Sequence, residues 1–511
     1  MSEKLYLGME LGSTRIKSVL INERGEVVAS GSHTWENHLE GDIWSYYEDE
    51  IWQGVKASFA ALSANAGEKM ANVEAMGFSA MMHGYIALDK DGNLLAPFRT
   101  WRNTNTPMAA DALTELFGVN IPLRWSIAQL YQSILEDQEH VRDICYLTTL
   151  SGYVHYKLTG ERALGVGDAS GMFPIDVDEC DYDEEMIKKF DSLVEHKGYP
   201  WKIRDILPRV LPAGKIAGYL SADGAKLLGF DLSVGKKIPL CPPEGDGGTG
   251  MVATNSVRER TGNVSAGTSV FAMVVMQRAL SGLYRDIDVV TTPDGRPVAM
   301  VQCNNCTSDM DAWARMLGEF AELIGKPLST GELMTLLFRR SVGADANGLI
   351  NYNYLAGDRK VGLTRGRPLF VRQPDAKLTL GGFMRAQIYS CLASLAIGME
   401  TLKKENVEID AMCGHGGFFK TDDIGQRAMS AAIGAPVTVF ENAGDGGAWG
   451  VALLAGYIGR EETLADYLDS VFASGKQSTV SASDGDVQGF NSFLEEYKRA
   501  FEVEKLATEI Y

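Results

Sequence analysis

GMELGSTRIK, residues 8–17, joins two apolar runs, KLYL (4–7) and SVLI (18–21), that both have strand character. A turn of Gly12, Ser13 and Thr14 between strands presents successive backbone N–H groups with hydroxyl donors beside them, a nest that suits an anion. Lys17, three residues beyond Thr14, adds positive charge. Glu10, on the strand entering the turn, can only accept and repels a bare phosphate. It belongs there if a magnesium ion lies between, since Mg²⁺ takes carboxylate, water and phosphate oxygens together. The stretch predicts a phosphate clamp with Glu10 as the metal ligand. An ordinary glycine hairpin has the same composition, so a second observation has to decide.

That observation lies in the other half of the chain. SAGTSV (265–270), around Gly267, Thr268 and Ser269, repeats the strand, glycine-hydroxyl turn, strand pattern. Two further glycine turns follow, GHGGF (414–418) and GDGGAWG (444–450), each ahead of a helical stretch. Glycine there lets a flat ligand approach the backbone. Two hydroxyl turns, one per half, predict a grip on the two ends of a polyphosphate.

The bulk properties fit an ordinary globular protein with such a ligand. At 511 residues, 45 % hydrophobic and 23 % charged, the chain is too long for a single core. Glycine supplies 55 residues, above the usual share of about 7 %. A net charge of −19 argues against nucleic acid and against an anionic membrane surface as partners. No leader and no long apolar run is evident, and seven scattered cysteines point to the cytoplasm rather than to a disulfide framework. Cys303 and Cys306 form one CNNC without a second pair at zinc-site spacing.

Along the chain, SYYE (45–48) predicts a capping box opening a helix at Ser45, and residues 73–90 read as strand, loop, strand. Residues 112–162 read as largely helical. The later pattern gives a helix capped at Ser308 and a long helix near 384–404 with Ile388, Leu392, Leu395, Met399 and Leu402 on one stripe. Asp423 and Gln426 are spaced as a capping box. Two halves with the same opening topology predict an α/β protein of two domains, 1–257 and 258–486, with 487–511 as a helix packed on the second.

In CPPEGDGGTG (241–250), Asp246 stands between glycines ahead of an apolar helix start, whose amides would attract a phosphoryl group. GDGGTG also satisfies G-x-G-x-x-G, but no strand-ending acid follows some 20 residues later, which argues against a dinucleotide fold. HGGF without a G-x-S-x-G elbow argues against an esterase.

With these turns in order, the chain resembles the FGGY family of carbohydrate kinases, and within it the xylulose kinases, over nearly its whole length. Residues 8–17 match the family's G-x-D-x-G-[ST]-x-x-x-K at every position but one, where Glu10 replaces aspartate. The resemblance implies the two-domain actin-like ATPase (ribonuclease H-like) fold, with ATP in a cleft between domains whose closure excludes water, and Mg²⁺ near Glu10. Gly12, Ser13, Thr14 and Lys17, then Gly267, Thr268 and Ser269, are the implied phosphate contacts. Gly416, Gly417, Gly446, Gly447 and Ala448 are the implied nucleotide contacts, and Asp246 the implied catalytic base. SAMMHGYIALD (79–89) resembles the QMHG stretch of xylulose kinases, which implies Met82 and His83 in the sugar pocket.

FRTWRNTNT (98–106) stands where those kinases carry W-N-D-x-R: Trp101 matches, while Asn103 and Asn105 replace the aspartate and arginine. Asp168 and Ser170, in GDASGMFPID, read as structural, and YLAGDR (354–359) resembles the family's L-x-G-E-R without its following proline. The implied activity is ATP-dependent phosphorylation of a small ketose, a pentulose such as xylulose, in a possible homodimer. Ribulose, fuculose or erythritol as acceptor, and an actin-like ATPase or sugar sensor without transfer, are the alternatives.

Overall fold

The computed structural model describes residues 3–231, 236–421, 423–440, 446–473 and 475–510. The chain forms two compact units: residues 1–257 with 282–298 and 444–475, and residues 258–281 with 299–443 and 476–511.

The first unit is built on strands β1 (Leu5–Leu11), β2 (Arg15–Asn22), β3 (Val27–Thr34), β4 (Val73–Ala80), β5 (Gly218–Tyr219), β6 (Pro239–Leu240) and β7 (Glu244–Gly245), in the order β5-β6-β4-β1-β2-β3 with β7 also paired to β4. β1 runs antiparallel to β2 and parallel to β4, and β7 runs parallel to β4. Leu11 and Gly245 both pair with Ala80, so three parallel strands end level. Ligand sites of open α/β sheets lie beyond such carboxyl ends.

One face of this sheet is covered by the helix Gly446–Tyr457, from the part of the chain that the sequence reading gives to the second half. It lies so close that a Cβ on Gly8 would sit 2.1 Å from the Ala448 carbonyl oxygen, and one on Gly77 2.7 Å from that of Val451. Long-range docking of this helix, not local sequence, decides its unit.

The second unit repeats the plan. Strands β8 (Thr261–Ala266), β9 (Val270–Val275), β10 (Pro297–Cys303), β11 (Ala411–His415), β12 (Val437–Phe440) and β13 (Gln477–Val480) lie in the order β10-β9-β8-β11-β12-β13. β8 is antiparallel to β9 and parallel to β11, as β1 is to β2 and β4. The helix Leu380–Lys404 buries Ile388, Leu392, Leu395, Met399 and Leu402, the predicted stripe. The end of the chain is two helices, Asp484–Arg499 and Glu502–Ile510, the first capped by Ser483 and packed through Phe490 and Phe493 on Tyr389.

Three expected caps are absent. Ser308 is the first residue of the helix Ser308–Leu323, which follows Thr307 without a side-chain cap. Ser45 ends a short strand, its hydroxyl donating to the Tyr46 carbonyl, and the helix begins at Glu48, whose carboxylate accepts a hydrogen bond from the Tyr153 hydroxyl. Gln426 donates to the carbonyls of Val437 and Ser478, and Asp423 pairs with Arg427, so neither side chain caps Ile424–Ile433. Glu48 and Gln426 meet partners distant in sequence instead of completing a local capping box.

Candidate active site

The loops leaving the level ends of β1, β4 and β7 carry Gly12–Thr14, Met81–His83 and Asp246. The amide of Gly12 donates to the Arg15 carbonyl at 3.0 Å, closing the first turn. Its other carbonyls are all held from within the unit. Trp35 Nε1 donates to Gly12 at 2.7 Å, the Tyr46 hydroxyl to Ser13 at 2.6 Å, and the Trp35 amide to Thr14 at 3.2 Å. Trp35 and Tyr46 stack with centroids 4.0 Å apart. With its acceptors engaged, the turn has N–H and hydroxyl donors left to offer, the polarity an anion needs. Nothing in the sequence pattern marks Trp35 or Tyr46 for this task.

Glu10 lies opposite Lys17 across the β1–β2 ladder and accepts hydrogen bonds from the amides of Ala448 and Gly447 at the helix start. A Cβ on Gly447 would lie 2.3 Å from Glu10 Oε1. Gly446 has φ +61°, and its Cβ position lies 3.7 Å from Glu10 Oε2. The two glycines expected on the nucleotide thus face Glu10; Gly444 and Asp445 of the same motif lie outside the described residues. Burial pushes the Glu10 carboxyl up to about 7, Asp246 adds to the rise, and the two amides and Lys17 oppose it. A buried carboxylate near a second acid is a donor that suits Mg²⁺, which is held by one or two carboxylates with water and phosphate oxygens. The residues present fit that ion.

Asp246 opens the helix Asp246–Ala253, and its Oδ1 accepts the Met82 amide at 2.9 Å. It keeps contact with solvent, while desolvation by the protein packed around the carboxyl raises its pKa; the amides of Met82 and Gly247 and the Arg124 charge oppose that rise. A carboxylate with a raised pKa is a stronger base, the requirement for taking a hydroxyl proton.

His83 has φ 70°, in the left-handed region that side chains other than glycine rarely adopt. Its Nδ1 lies 3.2 Å from the Gly171 carbonyl oxygen and so carries the proton, which leaves Nε2 as an acceptor for a substrate hydroxyl. Burial lowers its pKa to about 3, so the ring is neutral. It stacks on Trp125 at 6.4 Å. The adjacent Arg124 is paired with Asp288, and the charges of both act on His83.

Trp101 and Asn103, from the W-N-D-x-R comparison, both meet groups of the first unit. Trp101 donates its indole N–H to Ser13 Oγ at 3.4 Å, so it lies on the first turn. Asn103 is 2 % exposed, and its amide is fully engaged by backbone: Oδ1 accepts the Trp44 amide at 2.9 Å, while Nδ2 donates to Trp44 at 2.8 Å and to Thr100 at 2.9 Å. The Asn103 side chain thus braces the backbone at Trp44 and Thr100.

In the second unit, the Gly267–Ser269 turn follows β8 and is closed by the Gly267 amide donating to Ser269 at 2.9 Å. The amides of Thr307 and Cys306 donate to Gly267 and Thr268, each at 3.0 Å. Gly416 follows the neighbouring parallel strand β11 with φ +104°, and a Cβ there would lie 2.4 Å from the Ala266 carbonyl oxygen. Gly417 opens onto free space. The structure thus brings Gly416 and Gly267 together at one strand end. Cys303 and Cys306 are buried thiols, and among the described residues no cluster of three or more His, Cys, Asp or Glu side chains is placed to hold a metal by protein ligands alone.

Comparison with known proteins shows the lineage. Residues 5–251 match the N-terminal domain of the FGGY family of carbohydrate kinases, and residues 262–458 its C-terminal domain. The chain belongs to the FGGY family of carbohydrate kinases. This FGGY chain is 25 % identical over 285 residues to the xylulose kinase of Escherichia coli, an alignment covering 54 % of this chain and about half, 55 %, of that one. It is 23 % identical over 470 residues to the xylulose kinase of Staphylococcus xylosus, covering 88 % and 90 %. Its fold matches the structure of xylulose kinase from Rhodospirillum rubrum with a TM-score of 0.81 over 98 % of this chain and 99 % of that one, at 16 % identity. Among the described residues no helix is long and apolar enough to cross a membrane.

Proposed function

We propose that this chain transfers the γ-phosphoryl group of ATP to a hydroxyl of a small open-chain ketose, a pentulose such as xylulose. The observation that carries the reading is the Asp246 carboxylate, raised in basicity and fixed by the Met82 amide, at the level strand ends that also present the first hydroxyl turn. Asp246 takes the hydroxyl proton as the phosphoryl group arrives. His83 Nε2 accepts from a neighbouring hydroxyl and, with Met82, orients the sugar.

Donors of Gly12–Thr14 and Lys17, and those of Gly267–Ser269, bind phosphate oxygens, while Gly416 and Gly417 admit the nucleoside. Glu10 would hold Mg²⁺, which neutralises phosphate charge when bound. The names of the relatives favour xylulose. Engagement of Asn103 by backbone removes one polar contact from the pocket, which keeps ribulose, fuculose and erythritol in the comparison.

A coupled ADP-release assay over ketoses and polyols tests the reading, with xylulose expected to turn over fastest. Asp246→Ala is expected to abolish sugar-dependent ADP formation and leave ATP binding intact. Retained turnover would remove Asp246 from its role, and ATP hydrolysis indifferent to every sugar would favour an ATPase switch.

A further inference from the structure

We infer that Glu244 is a positioning residue that keeps Asp246 and His83 in one frame by latching the Gly165–Gly171 turn to the end of β7. The inference rests on the proposed transfer reaction and adds a residue to it.

Glu244 is 1 % exposed, two residues before Asp246. Its Oε1 accepts the Gly167 amide at 3.3 Å, its Oε2 accepts the Asp168 amide at 2.9 Å, and the Gly245 amide also donates to it. Its hydrogen-bond partners are all amide donors, which suits the acceptor oxygens of a carboxyl group; burial first and the neighbouring Asp168 second push that carboxyl well above the usual carboxylate range, and the three amides oppose the rise. The cradle is made of missing side chains. A Cβ on Gly165 would lie 2.1 Å from Oε1, one on Gly167 2.4 Å from Oε2, and one on Gly248 3.2 Å from Oε2.

The turn that Glu244 grips is itself stiff. Gly171 donates to the Asp168 carbonyl at 3.0 Å, and Ser170 Oγ to the Gly167 carbonyl at 2.6 Å. The Asp168 carboxylate is anchored by the hydroxyls of Thr149 at 2.7 Å and Ser151 at 2.5 Å. At its far end the Gly171 carbonyl holds His83 Nδ1, and a Cβ on Gly171 would lie 2.6 Å from that nitrogen.

The connections close a ring. Asp246 binds the Met82 amide, Met82 precedes His83, His83 binds Gly171, and the turn returns through Glu244 to Asp246. The proton acceptor and the hydroxyl acceptor are thus set by one latch. A buried carboxylate is costly to keep; holding two functional groups in register gives this one a use.

The test compares wild type, Glu244→Gln and Gly167→Ala on the best sugar of the panel, with rates divided by the number of ADP-binding sites from calorimetry. Gln places an NH₂ among donors; Ala at 167 crowds the carboxylate from the other side without touching its charge. Misplacement by about 1 Å costs roughly a hundredfold, so each variant should lose about a hundredfold in kcat per site and raise the sugar KM about threefold to tenfold. A purely structural role would lower the number of sites and leave kcat per site and KM unchanged, which overturns the inference. A loss of kcat with sugar KM unchanged overturns the shared frame. Wild type inactive on every sugar would overturn the reaction itself, and the latch with it, whereas an active wild type with unchanged variants sinks the latch alone.

Discussion

In the first unit, side chains fix two of the three carbonyls of the hydroxyl turn, Trp35 Nε1 on Gly12 and the Tyr46 hydroxyl on Ser13, and a backbone amide holds Thr14. In the second, the equivalent turn is fixed by backbone amides, those of Thr307 on Gly267 and Cys306 on Thr268. Strand order around the two turns is the same. The shared problem is to tie down acceptors so that donors face outward, and it has been solved once largely with side chains that mutation can erase and once with backbone amides that it cannot. The first turn should therefore be sensitive to side-chain substitution and the second tolerant.

Joint substitution Trp35→Phe and Tyr46→Phe strikes this difference hardest. Two hydrogen bonds of roughly 1 kcal/mol each are lost, so the nucleotide KM is expected to rise about tenfold to thirtyfold, with sugar KM unchanged in steady-state kinetics. Asn103→Ala sharpens the comparison one step back. Asn103 holds the Trp44 backbone two residues before Tyr46, and its loss leaves buried backbone groups unpaired. Denaturant unfolding should show a loss of about 1–3 kcal/mol, while the ranking of sugars stays as in wild type. A changed ranking would make Asn103 a sugar contact as well as a brace.

A smaller effect concerns the acids grouped in the first unit. Burial pushes Asp168, like Glu10, up to about 7. A carboxyl that binds its proton more tightly when folded contributes stability that is full below its unfolded pKa and lost as pH rises through its folded one. Between pH 5 and pH 8 the melting temperature should fall by a few degrees, and Asp168→Asn should flatten that fall. Smallest of all is Cys306→Ala, which leaves the donating amide in place; nucleotide KM should stay within about twofold. A large effect there would break the comparison.

What the sequence showed plainly was local. GMELGSTRIK and SAGTSV are strand–turn–strand units whose polar atoms lie within a few residues of one another, and the stripe on Leu380–Lys404 follows helical spacing. Asp246 was legible because glycines flank it and a helix follows. The supports of these residues were not legible, since they are contacts across the chain: Tyr46 on Ser13, Gly171 on His83, Glu244 on Gly167 and Asp168. Asn103 shows the limit from the other side. Its position matches a known motif, yet only the fold shows that its amide points at Trp44.

The helix Gly446–Tyr457 carries a consequence for synthesis. Gly8 and Gly77 are shaped for that helix, which leaves the ribosome almost four hundred residues after Gly77. Until then the nascent first unit has a bare apolar sheet face, a natural target for a chaperone. A gene truncated after residue 257 should accordingly yield aggregates, and supplying residues 444–475 as a fused C-terminal segment should restore soluble product.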